Sequence, residues 1–368
     1  MPASSPVSIR NVVGSALLSL LVLAGLAYYT FDLSAFQKIV SHVNAWWLVA
    51  GLGLVAVRAF LGGWRLKHVS QGRLSLGMAT RAQIAWEFFS NVTPSAVGGG
   101  PLTMVFIARE RRIPMGDSSA FMLFSMLLDQ LWFAATVACL LASSFVIPLI
   151  PPSVGTIGQW AFGGYLLIVI AWASFFAYAL IFRPSLLEWA ADRLFRLPYL
   201  SRFRERVMRE MKTFARRGRR LRSESAGFYV KGFLITAGMN LSRYALIVAV
   251  VWSVYPAAKG LLLMLRSATL SMGGLIMITP GGAGGLEGLY AVLIGPLMPA
   301  TLMVPTLLTW RLLGFYLFIA VGAYIFTRHV QRHPLAAREM SSMAQEHTNG
   351  SADTAAPSPA SSSSSAAP

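Results

Sequence analysis

Apolar runs of membrane-spanning length alternate with short basic interruptions along almost the whole chain. They cover about residues 12–31, 46–64, 118–140, 160–182, 229–254 and 303–327, each near the ~20 residues a helix needs to cross a hydrocarbon core of ~30 Å. Backbone N–H and C=O groups in hydrocarbon must pair within their own segment, so these runs predict an all-α polytopic protein with six full crossings. The run from Val12 to Thr30 follows Arg10, as a secretory signal would. It is long enough to span and no small-residue cleavage site follows it, so it is expected to remain as the first helix.

Two more apolar segments are interrupted in the middle by near-copies of one motif. Thr93-Pro-Ser-Ala-Val-Gly-Gly-Gly-Pro101 and Thr279-Pro-Gly-Gly-Ala-Gly-Gly-Leu-Glu287 lie 186 residues apart. Broken helices at membrane depth survive only where protein or a wet cavity covers their free backbone groups, and matched breaks in two halves mark the binding sites of repeat-built carriers. The eight residues from Pro101 to Ala108 before Arg109 reach about 12 Å, too short to cross. The first motif is therefore expected to tip a re-entrant hairpin that enters and leaves on one side. The second would dip from the opposite side, giving two inverted repeats; the alternative is that Gly260 to Ile278 spans by itself and makes eight crossings.

Charge fixes an orientation for this scheme. The chain carries 31 Lys and Arg against 14 Asp and Glu. The loop from Arg183 to Arg222 holds twelve Arg and Lys212 against Glu188, Asp192, Glu205 and Glu210, so it is expected in the cytoplasm, with both termini on that side of a cell inner membrane. The expected division is a short segment 1–9, a first repeat 10–182, a basic amphipathic linker 183–226, a second repeat 227–330 whose first helix is 160–182, and a disordered Ser/Ala/Pro tail 331–368. Basic and apolar residues at helical spacing over 202–222 suit anionic inner-leaflet headgroups, or serve simply as an orientation signal.

Composition narrows the function classes. With 55% hydrophobic and 12% charged residues and a mean hydropathy of +0.60, no separate catalytic domain fits. Nucleic acid is not an expected partner, because no basic face interleaved with aromatics stands on a soluble fold. The single cysteine, Cys139, allows no intrachain disulfide or cysteine-based metal cluster. No cofactor, metal site or catalytic constellation is expected, and the protein is read as a non-enzyme.

The candidate binding residues are those of the motifs and the few charges inside the spans. Thr93, Pro94, Gly98, Gly99 and Gly100, with Thr279, Pro280, Gly281, Gly282, Gly284 and Gly285, form turns that let backbone approach a ligand and present free N–H groups at a helix start, a geometry for phosphate or carboxylate or, alternatively, for close packing. Glu287 stands where the first copy has Pro101 and needs a partner or a proton at membrane depth; Arg266 or Arg311 is the expected partner. Arg58 precedes Thr93 by 35 residues and Arg243 precedes Thr279 by 36, so the two are near-equivalents. Arg58, Arg243 and Arg311 are the candidates for a lipid phosphate, since a guanidinium offers a planar fork of donors that keeps its charge. Asp129, Glu87 and Arg266 are candidates for coupling or ion pairing, with Asp129 expected against an arginine across the pseudo-twofold.

Through the pattern Thr-Pro-x-x-x-Gly-Gly-x-Pro, its second form Thr-Pro-Gly-Gly-Ala-Gly-Gly-Leu-Glu-Gly and Trp310-Arg311-Leu312, the chain resembles the lysylphosphatidylglycerol synthase transmembrane-region family over about residues 10–330. The resemblance implies a flippase-like protein that handles a phospholipid, a polyprenyl lipid or a glycolipid, with a lipid-biosynthetic enzyme as a candidate partner. Only the Ser/Ala/Pro tail follows the last helix, so the soluble aminoacyl-transferase domain of fused family members is not expected here, and lysine transfer is not implied. The competing expectations are a non-transporting scaffold for lipid or envelope biosynthesis and a membrane lipid transferase.

Overall fold

The computed structural model describes residues 43–93, 99–111, 113–181, 224–277 and 279–332. The expected first helix at 12–31, most of the basic linker and the C-terminal tail lie outside them, as do Pro94 and Gly98. Among the described residues the protein is all-helical with no strand. The elements are α1 (Ala45–Val69), α2 (Leu76–Val92), α3 (Gly99–Arg111), α4 (Met115–Ser144), α5 (Gly155–Ile181), α6 (Ala226–Trp252), α7 (Gly260–Gly273), α8 (Gly285–Leu293), α9 (Ala300–Arg311) and α10 (Leu317–Arg332). A π-helical turn, Leu312–Tyr316, joins α9 to α10.

Local chemistry sets the breaks. Asn44 caps α1 by accepting the N–H of Trp46, and Ser75 caps α2 by accepting that of Met78. Helix α2 stops where Pro94 follows Thr93, whose hydroxyl turns back to the Phe89 carbonyl at 2.7 Å. In the second half α7 covers 14 residues, about 21 Å. That is less than a hydrocarbon core, so α7 with α8 makes a pair of half-length helices, as α2 with α3 does. Five helices are long and apolar enough to cross a membrane, and they coincide with the five expected spans inside the described residues. Trp46, Phe145 and Trp160 are more than four-fifths exposed on their outer faces, where only hydrocarbon or its interface suits them.

The order long, half, half, long occurs twice, in α1 to α4 and in α6 to α10, where α9 and α10 form one long helix through the π-helical turn, and each hairpin has its own core. Phe89, Phe106 and Phe121 knit α2, α3 and α4 together. Ile247, Leu263, Tyr290 and Leu307 do the same for α6 to α9. The first helices of the two quartets, α1 and α6, pack against each other along their length and run antiparallel. Asn44 N–H donates to Ser253 O at one end (2.8 Å), and His68 Nε2 meets Phe228 O at the other (2.9 Å).

Close helix approach depends on small residues, as membrane interfaces require. A Cβ on Gly63 would overlap the Thr80 backbone across α1 and α2, whereas one on Gly53 would meet nothing within 4 Å. Gly63→Val is therefore expected to cost about 2 kcal/mol and to lower the midpoint of thermal unfolding in detergent, while Gly53→Ala leaves it near wild type.

Candidate functional site

The second motif folds into a turn that only glycine accepts readily. Gly281, Gly282 and Gly284 all have positive φ (59°, 65° and 84°), and the Gly282 N–H closes onto Thr279 O at 2.9 Å. A Cβ on Gly281 would also overlap the Phe315 ring. The turn leaves carbonyls and amides without helical partners, and two buried charges take them up. Glu287 Oε2 accepts the Gly284 N–H at 2.8 Å. Arg311 donates to Gly281 O at 3.1 Å and pairs with Glu287 at 2.8 Å, with side chains only 3% and 0% exposed. Of the two partners expected for Glu287, the structure thus places Arg311 there. Arg266 instead donates to Leu293 O and Pro148 O, tying α7 to the end of α8 and to the loop after α4.

Beside this turn the charges of α1, α2, α4 and α6 converge. Arg58 pairs with Glu87 at 2.5 Å. The other oxygen of Glu87 accepts from Gln83 Nε2 at 3.3 Å and lies 3.7 Å from Arg243. One carboxylate therefore stands between Arg58 and Arg243. Asp129 does pair with an arginine, but with Arg65, whose guanidinium also lies over the Trp86 ring at 5.5 Å; both residues belong to the first quartet.

These groups line a single cavity of about 340 Å³. Its walls bring together Arg58, Arg243, Arg311, Glu87 and Asp129 with Thr279, Gly281 and Gly282 of the second motif. Thr93, Gly99, Gly100, Gly284, Gly285, Glu287 and Arg266 stay outside the wall. Gly99 serves close packing, since a Cβ there would strike Ser90 and the Trp86 carbonyl. Among the described residues, Ser90 and Asn91, just before the first motif, also line the wall. Among the described residues, no group of three or more His, Cys, Asp or Glu side chains could hold a metal ion.

Two lining residues were not among the sequence candidates although spacing could have found them. Arg65 lies two turns after Arg58 on one helix face, and Asn240 one turn before Arg243. Counting Glu287 behind Arg311, four guanidinium groups (Arg58, Arg65, Arg243, Arg311) face three carboxylates (Glu87, Asp129, Glu287), an excess of one positive charge. It is most available at Arg243, whose side chain is 35% exposed against 8% for Arg58.

A family model described as the lysylphosphatidylglycerol synthase TM region matches residues 12–322 of the chain. The chain is also similar to a UPF0104 membrane protein of Archaeoglobus fulgidus, 22% identical over 290 residues that cover 76% of this chain and 81% of the relative. No solved structure is significantly similar.

Breaking the buried pair under the second motif has a measurable consequence. Arg311→Met removes the fork that joins Glu287 to the Gly281 carbonyl and is expected to destabilise by about 3 kcal/mol. Arg311→Lys, which keeps the charge but not the fork, should lose less. Thermal denaturation of the purified variants in detergent reads both.

Proposed function

Because the chain belongs to the lysylphosphatidylglycerol synthase transmembrane-region family, a family of lipid-related multi-pass membrane proteins, we propose that it is a flippase-like carrier which binds the phosphate of a lipid headgroup in the arginine-lined cavity. The observation that carries this reading is the charge imbalance of that cavity. One guanidinium beyond neutrality at membrane depth demands an anion, and a phosphodiester brings the single negative charge that balances it. Arg58, Arg65 and Arg311 each also keep a buried Nε–H with no acceptor among the described residues, and guanidinium forks match phosphate oxygens.

An alternating-access mechanism follows from two inverted repeats, and the antiparallel packing of the equivalent helices α1 and α6 supports that inversion. Helices related by an axis in the membrane plane must run in opposite directions. Rocking of the α1–α4 quartet against the α6–α10 quartet would open the cavity first to one leaflet and then to the other, with Glu87 between Arg58 and Arg243 near the hinge of that motion. In this reading the protein sits in the inner membrane with its termini in the cytoplasm, acts as a carrier rather than an enzyme, and takes a phospholipid, polyprenyl lipid or glycolipid as cargo.

Proteoliposomes holding fluorescent phospholipids test the proposal. The protein is expected to speed leaflet exchange, measured by quenching from outside, and Arg243→Gln to slow it about tenfold, as the loss of a charge-assisted contact implies. Exchange no faster than in empty liposomes would overturn it.

A further inference from the structure

A second hollow lies behind the arginines. It measures about 150 Å³ and is lined by Leu52, Val55, Ala56 and Ala59 of α1, Ile84 of α2, and Leu317, Phe318 and Val321 of α10, with no charged or hydrogen-bonding side chain among them. A hollow of this size walled by hydrocarbon stays dry and takes an apolar guest. Leu52 and Val321 at its rim are 50% and 39% exposed, so it opens on the outer surface of the bundle, where a membrane protein meets acyl chains.

The groove and the cavity share no lining residue, yet they adjoin at one ring. Phe318 is 4% exposed; it lines the groove, and the Arg58 guanidinium stands over its ring at 4.9 Å. Arg58 in turn lines the cavity and pairs with Glu87. The same three helical segments thus carry both sites. Helix α1 turns Arg58 to the cavity and Val55 and Ala59 to the groove; α2 offers Glu87 on one side and Ile84 on the other. The segment after Arg311 offers Phe315 to the cavity and, past its π-helical turn, Leu317, Phe318 and Val321 to the groove. A π turn inserts a residue and shifts the faces of the helix around it, a device common at functional sites.

We propose that this groove seats an acyl chain of the lipid whose phosphate occupies the cavity, with Phe318 as the partition between headgroup and chain. The inference rests on the phosphate reading of the cavity and deepens it: the cargo is an amphiphile held at both ends, not a soluble anion. Charge complementarity selects one end of the occupant and an unbroken apolar lining the other, and one aromatic residue joins the two sites. Because the chain leaves one hydrocarbon environment for another, the groove contributes fit rather than hydrophobic transfer, so its share of the affinity is modest.

Binding of a fluorescent long-chain dialkyl phosphate to the full chain in micelles, and of diethyl phosphate by displacement, tests this. Ala56→Trp, which fills the groove from α1, is expected to weaken the long-chain ligand about fivefold and to leave diethyl phosphate unchanged. Arg243→Gln should weaken both. If Ala56→Trp misfolds, Val321→Trp fills the groove from the opposite wall and carries the same expectation. Unchanged long-chain affinity in a folded groove variant, beside a loss in Arg243→Gln, overturns the acyl groove and leaves the phosphate site standing. If neither ligand responds to Arg243→Gln, the phosphate site fails and the groove proposal with it.

Discussion

Backbone groups inside a bilayer have no water to fall back on, and at the second interruption of this protein buried charges replace the lost helical partners. Where the second motif leaves the helix, Gly281 and Gly282 turn their carbonyls toward Arg311, and Gly284 gives its N–H to Glu287. Arginine and glutamate then neutralise each other at 2.8 Å. Each group in this knot would be costly by itself in a low-dielectric medium, but together they satisfy the turn and cancel their charge. The glycines are required twice over, for their positive φ and for the space that Phe315 fills against Gly281.

The same rule governs the cavity next to it, with a different outcome. Arg65 and Asp129 close one pair and Arg58 and Glu87 another. Arg243 has only a share in Glu87, at 3.7 Å. The network is therefore tight on the side of α1 and α2 and loose on the side of α6. The proposed anion would compete for this loosest contact first.

Much of this was legible in the sequence, because hydrocarbon allows few solutions. The spans within the described residues, the two interruptions, and the inward placement of Arg58, Arg243 and Arg311 around one cavity follow from apolar length, from duplicated Gly/Pro turns and from the rarity of charge in such segments. Partner choice was less legible. Spacing left Arg266 and Arg311 equally able to meet Glu287, and what separates them is the wedge of Phe315 and Trp310 that aims Arg311 under the turn. Arg65 stands at the end of a span, where basic residues commonly set orientation, yet it is 1% exposed, because Asp129 on α4 and the ring of Trp86 meet it there. Such contacts join residues distant in sequence, and no local pattern encodes them. The groove beside Phe318 was invisible for the same reason: its walls are ordinary apolar residues from three separate segments.

Placing a charged cavity and an apolar groove on opposite sides of one aromatic ring also constrains how the helices move. The Phe318 ring lies under the Arg58 guanidinium, and Phe318 shares one buried apolar cluster with Val55, Leu246 and Val250. Leu246 and Val250 lie on α6, while Val55 and Arg58 lie on α1. Helix α10 is therefore keyed into the seam between the antiparallel helices α1 and α6. Relative motion of α1 and α6 has to disturb the Phe318 packing, the Arg58–Glu87 pair and the Arg243–Glu87 contact together. Packed seams of this kind settle in discrete arrangements rather than sliding continuously. A rearrangement of the charged cavity in this fold is thus mechanically linked to the wall of the apolar groove.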